Sequence, residues 1–241
     1  MNEVINEIFK ESIAPHRSPT DTMRYLEIGV NKGATLEGVL TKIADIKIEK
    51  EGVDPYGEYS NVHRMTSEMF FALNKCFWQK TYDIIFIDGC HFSPVVDREI
   101  QESLRILNDD GVIILDDTIP LSEASGTVRE KDLVEYCKKM SYPLNKDYSP
   151  DSKTQYEIFK NFSGFPDVNG DVWKSVLKLR QGGSDLKICS LPHPTACTIV
   201  KRGHQELMKR PEEATDWAFF EKNKQEILHL IDWHQLGSFL Q

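Results

Sequence analysis

Two apolar runs that stop abruptly at acidic residues constrain the fold of this chain most. Residues 83–91 read D-I-I-F-I-D-G-C-H, and residues 112–118 read V-I-I-L-D-D-T. Short apolar runs of this kind are typical of strands that are buried inside a sheet. The first run ends at Asp88 and the second at the pair Asp116 and Asp117. Charged groups are costly in a core, so we predict that these acids lie at a functional edge of the sheet.

Helical and strand-like segments alternate along the first 140 residues. The predicted strands are 24–29, 48–54, 82–88 and 112–116. The predicted helices are 2–13, 34–43, 66–77, 94–107 and 129–140, and N-D-D-G at 108–111 is predicted to be a turn. Alternation of this kind indicates an α/β fold with a doubly wound, mostly parallel sheet and helices on both faces.

The C-terminal part of the chain breaks this rhythm. A helix is predicted at 171–181, followed by strands at 186–190 and 196–200 and a helical pattern at 216–239. The link between the two strands is short, which requires them to be antiparallel. No linker or internal repeat is evident, so we predict one domain over residues 1–241. It has an N-terminal helical segment at about 1–20 and an aromatic-rich cap loop at about 141–170.

Composition narrows the range of partners. Lys and Arg number 29 against 38 Asp and Glu, a net charge of −9, which argues against nucleic acid or an anionic membrane as the main partner. The five cysteines are scattered, and we see no signal peptide or membrane-spanning run. We therefore expect a cytoplasmic protein that acts on a small molecule. A homo-oligomer is compatible with the sequence, because the aromatic loop suits either a sugar cap or a dimer contact.

The turn after the first strand carries an acid and two glycines. The stretch Y-L-E-I-G-V-N-K-G-A-T contains Glu27, Gly29 and Gly33. A dinucleotide fingerprint would read G-x-G-x-x-G, and its absence disfavours an NAD-linked oxidoreductase. Glu27 would place negative charge close to the ligand site. That arrangement suits a cationic or hydroxyl-rich ligand better than a pyrophosphate.

The motif E-I-G-V-N-K-G-A-T resembles the first motif of class I S-adenosylmethionine-dependent methyltransferases, which have a Rossmann-like fold. G-V-D-P at 52–55 resembles their second motif, in which an acid binds both ribose hydroxyls, and M-T-S-E at 65–68 falls where that family contacts adenine. The resemblance therefore implies S-adenosyl-L-methionine as the cofactor. It assigns cofactor binding to Glu27, Gly29, Asn31, Gly33, Asp54, Thr66, Ser67 and Asp88.

The acids at the ends of the later strands suggest a metal site. Asp88, Asp116 and Asp117 would repel one another unless a cation lay between them. Mg²⁺ prefers oxygen ligands and leaves positions open for substrate, so we predict that these three residues bind it. His91 follows Asp88 by three residues, and an imidazole beside a metal-bound hydroxyl is a suitable general base.

The spacing D-x-x-H followed by D-D is similar to that of metal-dependent O-methyltransferases of macrolide sugars. This resemblance implies the same three aspartates as magnesium ligands and makes His91, with Asp88, the catalytic residues. Simpler alternatives remain: Asp88 could be a helix cap, His91 a hydrogen-bonded rim residue, and Asp117 a solvent-facing acid.

A second resemblance covers roughly residues 24–202. The stretches H-R-M-T-S-E-M-F-F, I-I-F-I-D-G-C-H and N-G-D-V-W-K-S-V-L-K-L-R-Q resemble a bacterial methyltransferase group associated with surface-polysaccharide and glycan biosynthesis. That group usually has His-Asp-Cys where this chain has Asp116-Asp117-Thr118, a difference that favours the three-aspartate metal site. Trp173, within the last stretch, has no role that the sequence identifies.

Together these patterns predict a magnesium-assisted, S-adenosylmethionine-dependent O-methyltransferase. Its acceptor would be a hydroxyl of a sugar, a glycan or a related polyhydroxylated small molecule. Two alternatives stay open, namely a metal-independent small-molecule methyltransferase and a non-catalytic S-adenosylmethionine-binding protein.

Overall fold

The computed structural model describes residues 1–57, 59–60, 62–120, 123–126, 169–192, 196–209 and 216–241. The strands are β1 (Thr22–Ile28), β2 (Lys42–Ile43), β3 (Ile46–Val53), β4 (Val62–His63), β5 (Tyr82–Ile87), β6 (Leu107–Leu115), β7 (Leu186–Leu191) and β8 (Cys197–Arg202). The α-helices are α1 (Asn2–Ile8), α2 (Ala34–Gly38), α3 (Ser67–Leu73), α4 (Ser93–Ile106), α5 (Glu123–Gly126), α6 (Val172–Gly182), α7 (Trp217–Leu228) and α8 (Leu236–Leu240). Short 3₁₀ or π segments occupy Phe9–Ile13, Ala14–His16, Asn74–Trp78 and Trp233–Gln235.

These strands form one sheet with the order β2-β3-β1-β5-β6-β8-β7, and β4 pairs with β3. Strand β1 lies parallel to β3 and β5, and β5 lies parallel to β6. At the far edge, β8 runs antiparallel to both β6 and β7. The prediction of a mostly parallel sheet with an antiparallel C-terminal pair is therefore confirmed.

Two apolar cores cover the two faces of the sheet. Because successive side chains of a strand point to opposite faces, Leu26 and Tyr25 of β1 belong to different cores. Leu26 packs in the core that contains Ile100 of α4 and Trp173 of α6. Tyr25 packs with Ile5 of α1 on the other face. Helices on both faces, as the doubly wound pattern predicts, are confirmed.

The helix predicted at 34–43 is shorter in the structure. Helix α2 ends at Gly38, because Val39 adopts an extended conformation, and Lys42–Ile43 then pairs antiparallel with β3. The turn between them uses positive φ values at Ala44 and Asp45. The ammonium group of Lys50 donates to the carbonyl groups at the end of α2, including those of Leu36 and Val39, both at 2.8 Å. Contacts from a neighbouring strand thus replace the last helical turns.

The predicted turn at 108–111 is instead part of β6, where the pairing with β5 shifts its register between Tyr82 and Ile84. Side chains hold this irregular stretch in place: Nδ2 of Asn108 donates to Asp83 at 2.8 Å, and Arg17 contacts Asp110 at 2.6 Å. Asn108 and Asp110 are therefore anchored at the amino end of the strands.

The C-terminal helical pattern is interrupted in the structure. Helix α7 ends at Leu228, and His229 has a positive φ of 47° before the chain reaches α8. The helix predicted at 129–140 lies outside the described residues, as does the cap loop except for residues 169–170. None of the described helices combines the length and apolar character needed to cross a membrane.

Candidate active site

The acids after β5 and β6 lie side by side at the carboxyl edge of the sheet. The backbone N–H of Asp88 donates to the carbonyl of Ile28 at 2.8 Å, and that of Asp116 donates to the carbonyl of Ile87 at 3.0 Å. Sheet hydrogen bonding therefore continues one residue beyond each strand and fixes both acids in the backbone register. Ligands bind at this edge in open α/β sheets.

The turn at Asp117 is constrained by backbone conformation and by buried hydroxyl groups. Asp117 has a φ of 57°, and its N–H donates to Oδ1 of Asp116 at 3.0 Å. The next residue, Thr118, is fully buried and donates to the carbonyl of Ala196 at 3.2 Å. Its hydroxyl also accepts a hydrogen bond from Thr198 at 2.8 Å. The C-terminal strand pair thus fixes the direction in which Asp117 leaves the sheet.

His91 lies between two of the three acids. Its Nε2 atom is 3.0 Å from Oδ2 of Asp117 and 3.5 Å from Oδ1 of Asp88. One ligand atom from each of these residues lies within 4.8 Å of the others, a spacing that could hold a metal ion. Asp116 does not belong to this group of three, although it lies directly beside it. The grouping that the structure shows therefore includes His91 as well as two predicted ligands.

Burial and mutual repulsion give the acids unusual proton affinities. Burial, followed by the charges of Asp88 and Asp117, raises the pKa of Asp116 to about 7. Burial also raises the pKa of Asp88, although His91 opposes this shift. Burial alone would lower the pKa of His91, but its hydrogen bonds with Asp117 and Asp88 raise it well above the ordinary value. The pKa of Asp117 is lowered, because the contact with His91 outweighs burial.

These shifts provide a test of whether a cation fits the site. Three carboxyl groups share one edge, and the imidazole of His91 contacts two of them, Asp88 and Asp117. Burial and then the repulsion between neighbouring carboxylates raise the pKa values of Asp88 and Asp116, and a nearby cation would oppose both effects. Hard oxygen donors with a deficit of positive charge suit a divalent cation such as Mg²⁺. The donor set therefore fits the predicted metal.

Glu27 lies buried beneath the glycine turn, close to these acids. It is 1% exposed, and the hydroxyl of Tyr25 donates to its Oε2 at 2.7 Å. Burial raises the pKa of Glu27 to about 8, although the hydrogen bond from Tyr25 lowers it in part. A buried acid of this kind favours a nearby positive charge, as the sulfonium and ammonium groups of the predicted cofactor would supply.

The glycine turn that follows β1 has no space for a Cβ atom at two positions, Gly29 and Gly33. Gly29 has a φ of 88°, and a Cβ there would overlap the carbonyl oxygen of Asp88. Gly33 has a φ of 83°, and a Cβ there would overlap the ring of Tyr59. Positive φ values are readily adopted by glycine and strained for other residues. The backbone of the turn therefore packs directly against the strand end that carries Asp88.

Asp54 follows β3 and binds the glycine turn. Its Oδ2 accepts the backbone N–H of Asn31 at 2.8 Å, and its Oδ1 accepts that of Tyr56 at 2.7 Å. Each carboxylate oxygen retains a second lone pair, so the group can still accept two adjacent hydroxyl donors. Asn31 takes part through its backbone and has a positive φ of 49°. The structure thus joins Asp54 to the turn that carries Asn31.

The two hydroxyl residues predicted to contact adenine have partners within the protein. Thr66 caps α3, and its Oγ1 accepts the N–H of Met69 at 3.2 Å. Ser67 donates to Oε1 of buried Glu99 at 2.6 Å. Burial raises the pKa of Glu99 to about 7. The contact of Thr66 and Ser67 with a cofactor stays a prediction.

Asn169, which no sequence pattern singles out, joins the site from a distant segment. Its Nδ2 donates to Oδ1 of Asp117 at 2.6 Å, across 52 positions of sequence. The available signal was the stretch N-G-D-V-W-K, which carries a family resemblance, but no local pattern connects it to Asp117. Trp173 in the same stretch is a core residue: it is 1% exposed, and its Nε1 donates to the carbonyl of Gly126 at 2.9 Å.

Residues 26–118 match the model of a protein family described as a methyltransferase domain. The matched segment begins just before Glu27 and ends just after Asp117, so it spans most of the candidate site. The match agrees with the methyltransferase motifs identified in the sequence. A comparison with curated proteins finds no match.

Several solved structures resemble the chain distantly. An O-methyltransferase from Bacillus cereus in complex with SAH has a TM-score of 0.36 at 12% identity, covering 73% of this chain and 72% of that one. MycE from the mycinamycin biosynthetic pathway, in complex with Mg and SAH, has a TM-score of 0.39 at 15% identity, covering 90% of this chain and 55% of MycE. SAH-bound PaMTH1 from Podospora anserina has a TM-score of 0.37 at 15% identity, covering 75% and 71%. Likenesses this distant transfer neither a substrate nor a metal to this chain.

Proposed function

We propose that the protein is an S-adenosylmethionine-dependent O-methyltransferase whose acceptor is a hydroxyl of a sugar, a glycan or a related polyhydroxylated small molecule. We further propose that Mg²⁺ assists the reaction. The observation that carries the proposal is the position of His91, with Nε2 at 3.0 Å from Asp117 and 3.5 Å from Asp88. This base lies at the sheet edge where the glycine turn meets Asp88.

The cofactor would lie along the glycine turn. Asp54 would accept the ribose hydroxyls, and the positive charge of the methionine end would favour the ionised form of buried Glu27. The backbone at Gly29, Asn31 and Gly33 would allow close approach. S-adenosylmethionine supplies a methyl group on a positively charged sulfur, which an oxygen nucleophile can attack in line. The protein's contribution is to hold the two reactants at reacting distance.

Asp88, Asp116 and Asp117 are the residues that would hold the metal. A bound Mg²⁺ would lower the pKa of an acceptor hydroxyl and neutralise part of the charge on the acids. The residues around it are arranged to handle the proton. His91 would accept the proton of the acceptor hydroxyl at Nε2. It can do so as a neutral imidazole if Mg²⁺, rather than a proton on His91, neutralises Asp88 and Asp117. Asp117 would then stabilise the imidazolium that forms.

The acceptor class rests on the two sequence resemblances. One is to O-methyltransferases of macrolide sugars and the other to a methyltransferase group of glycan pathways. The Asp116-Asp117-Thr118 sequence supports the metal-dependent arrangement rather than the His-Asp-Cys arrangement. Polysaccharide biosynthesis as the pathway is proposed on the resemblance to the glycan group, and a cytoplasmic location on the scattered cysteines.

A metal-independent methyltransferase is a second candidate, and one observation favours it. Nε2 of His91 lies 3.0 Å from Oδ2 of Asp117, so the two side chains form a base and carboxylate pair. In this alternative Asp117 would orient the imidazole, as a carboxylate orients histidine in other acid–base sites. Asp88 and Asp116 would then only orient the acceptor.

Calorimetric titration of S-adenosylhomocysteine, first with Mg²⁺ and then with EDTA, tests the cofactor assignment. Binding should occur in both conditions and should weaken strongly in an Asp54→Ala variant. Transfer of a labelled methyl group to a panel of nucleotide sugars and glycosides then tests the activity. Turnover that stops in EDTA and returns with Mg²⁺ supports the metal-assisted reaction, whereas turnover in excess EDTA supports the second candidate. Absence of S-adenosylhomocysteine binding would overturn both.

A further inference from the structure

The segment Asn169-Gly170-Asp171, here called the N-G-D segment, contacts both Asp117 and His91 of the candidate site. Asn169 donates from Nδ2 to Oδ1 of Asp117 at 2.6 Å. Two residues later, the backbone N–H of Asp171 donates to the carbonyl of His91 at 3.0 Å. Asp117 follows β6 and His91 follows β5, so this short segment bridges residues that belong to different strands.

Asp171 anchors the segment to the start of α4, the helix that follows His91. Its side chain is 3% exposed and accepts two hydrogen bonds from Ser93, from the backbone N–H at 2.6 Å and from the hydroxyl at 3.1 Å. Ser175, one turn into α6, donates to the carbonyl of Ser93 at 3.2 Å. Three buried hydrogen bonds therefore attach the start of α6, and with it Asp171 of the N-G-D segment, to the start of α4.

Gly170 permits the close approach of this segment to His91. Its φ is 60°, and a Cβ at this position would overlap the carbonyl oxygen of His91. A residue other than glycine would both strain the backbone and push the segment away from His91. The approach to His91 is therefore built into the sequence of the segment.

The amide of Asn169 is placed for Asp117 and for little else. Asn169 is 8% exposed, and its Oδ1 is buried with no hydrogen-bond partner among the residues that the structure describes. An unpaired buried acceptor is unfavourable, so this side chain is poorly explained by packing or stability alone. The Nδ2 contact also determines which oxygen of Asp117 is occupied. Oδ1 faces Asn169, and Oδ2 faces His91.

We propose that Asn169 is a positioning residue for Asp117, and that the N-G-D segment holds Asp117 in the orientation in which it binds a divalent cation, with His91 beside it as the base. The inference rests on the proposed function, in which Asp117 is a metal ligand. Partners that orient a metal ligand typically change metal affinity by about 10–100-fold when they are removed. The N-G-D segment would have this role here, although it lies more than fifty positions from Asp117.

Mn²⁺ binding in the presence of S-adenosylhomocysteine, measured by electron paramagnetic resonance on the full chain, tests the inference. Asn169→Ala should weaken Mn²⁺ binding by about 10–100-fold and leave the affinity for S-adenosylhomocysteine unchanged. Asn169→Leu keeps the size of the side chain but cannot donate, and it should behave in the same way. If Asn169→Ala fails to fold, the Mn²⁺ affinity of Asn169→Leu tests the inference in its place.

Asn108→Ala is the matched control. Asn108 makes the same kind of contact, from Nδ2 to an aspartate at 2.8 Å, at the opposite end of β6. This variant should bind Mn²⁺ as the unmodified protein does. If the unmodified protein binds Mn²⁺ and either Asn169 variant binds it equally well, the inference is overturned. The proposed function is not affected by that result. Unmodified protein that binds S-adenosylhomocysteine but no Mn²⁺ would overturn both the metal-assisted reaction and the inference.

Discussion

His91 Nε2 lies 3.0 Å from Oδ2 of Asp117, although the two residues follow different strands of the sheet. The contact depends on backbone features on both sides. Asp117 leaves β6 with a φ of 57°, and the carbonyl of His91 accepts a hydrogen bond from Asp171. Neither residue is held by the strand pairing itself. The geometry of the candidate base therefore depends on turns and on a distant segment.

Replacement of His91 by glutamine should abolish most methyl transfer without unfolding the protein. Loss of a general base typically costs about 10²–10⁴-fold in rate. We expect this loss in turnover, with the affinity for S-adenosylhomocysteine changed by less than about twofold, because His91 is not among the predicted cofactor ligands. Turnover can be measured with whichever acceptor the panel identifies.

His204→Gln is a suitable control for this substitution, since His204 is exposed and contacts only the carbonyl of Ser184 among the described residues. It should retain full turnover. If His91→Gln were as active as His204→Gln, His91 would be a rim residue, and the proton would have to leave by another route.

Glu27→Gln should stabilise the protein at alkaline pH while weakening cofactor binding. Burial raises the pKa of Glu27 from 4.5 to about 8 in the folded state. Between these values the unfolded chain carries the charge and the folded protein does not, so unfolding releases a proton. The contribution of Glu27 to stability therefore falls as the pH rises from about 4.5 to 8, and stays low above that range.

The Glu27→Gln variant does not lose this stability as the pH rises, because glutamine does not ionise. At pH 8.5 we expect its free energy of unfolding to exceed that of the unmodified protein by roughly 2–4 kcal/mol, and at pH 5 by much less. Urea denaturation at the two pH values measures the difference, with Glu37→Gln as the exposed control. Equal stability at pH 8.5 would mean that Glu27 is already compensated in the folded state. Unchanged S-adenosylhomocysteine binding would remove Glu27 from the cofactor site.

Gly29→Ala should disrupt the turn, whereas Gly182→Ala should be tolerated. A Cβ at Gly29 would overlap the carbonyl of Asp88, and its φ of 88° is strained for alanine. We expect a loss of at least ~2 kcal/mol of stability together with loss of S-adenosylhomocysteine binding. A Cβ at Gly182, in the last turn of α6, meets nothing within 4 Å, so alanine there should be neutral or stabilising by up to ~1 kcal/mol. Thermal denaturation measures the change in stability of both variants, and calorimetric titration measures their binding of S-adenosylhomocysteine. Equal effects at the two positions would show that the turn can move aside.

The periodic parts of the sequence were sufficient to predict the sheet. The apolar run at Tyr82–Ile87 is buried along its whole length, and it pairs in parallel with β6 as its composition indicates. The acids at the strand ends were likewise predictable, because parallel neighbours bring their carboxyl ends together. Short elements could not be predicted in this way. The hairpin at Lys42–Ile43 depends on positive φ values at Ala44 and Asp45, which the pattern of apolar residues does not reveal.

Side-chain partners separated by long stretches of sequence were also beyond prediction. The hydroxyl of Ser67 donates to Glu99, a partner 32 positions away that no local pattern reveals. Asn169 reaches Asp117 across 52 positions. Such contacts depend on how α4 and α6 pack on the sheet, and the sequence shows only that these helices are amphipathic. The type of residue at the site was therefore predictable, whereas the residues that orient it were not.

The amino end of the strands offers a test that is separate from the candidate site. Arg17 contacts Asp83 at 2.6 Å and Asp110 at 2.6 Å, and its side chain is 18% exposed. The side chain of Asp83 is only 2% exposed. Removal of one partner from a buried ion pair leaves an uncompensated charge and typically costs about 3–5 kcal/mol. Because Asp83 keeps hydrogen bonds from Arg24 and Asn108, we expect Arg17→Met to cost somewhat less, about 2–4 kcal/mol.

Arg105→Met provides the comparison, because Arg105 pairs with Glu102 on the exposed surface of α4. An exposed pair is worth only about 0–1 kcal/mol, so this variant should unfold at nearly the same urea concentration as the unmodified protein. Both variants should bind S-adenosylhomocysteine normally, since Arg17 lies at the opposite end of the strands from the glycine turn. If Arg17→Met cost no more than Arg105→Met, the hydrogen bonds to Asp83 would be sufficient to stabilise its buried charge. Weakened cofactor binding in Arg17→Met alone would instead show that the two ends of the sheet are coupled through β5 and β6.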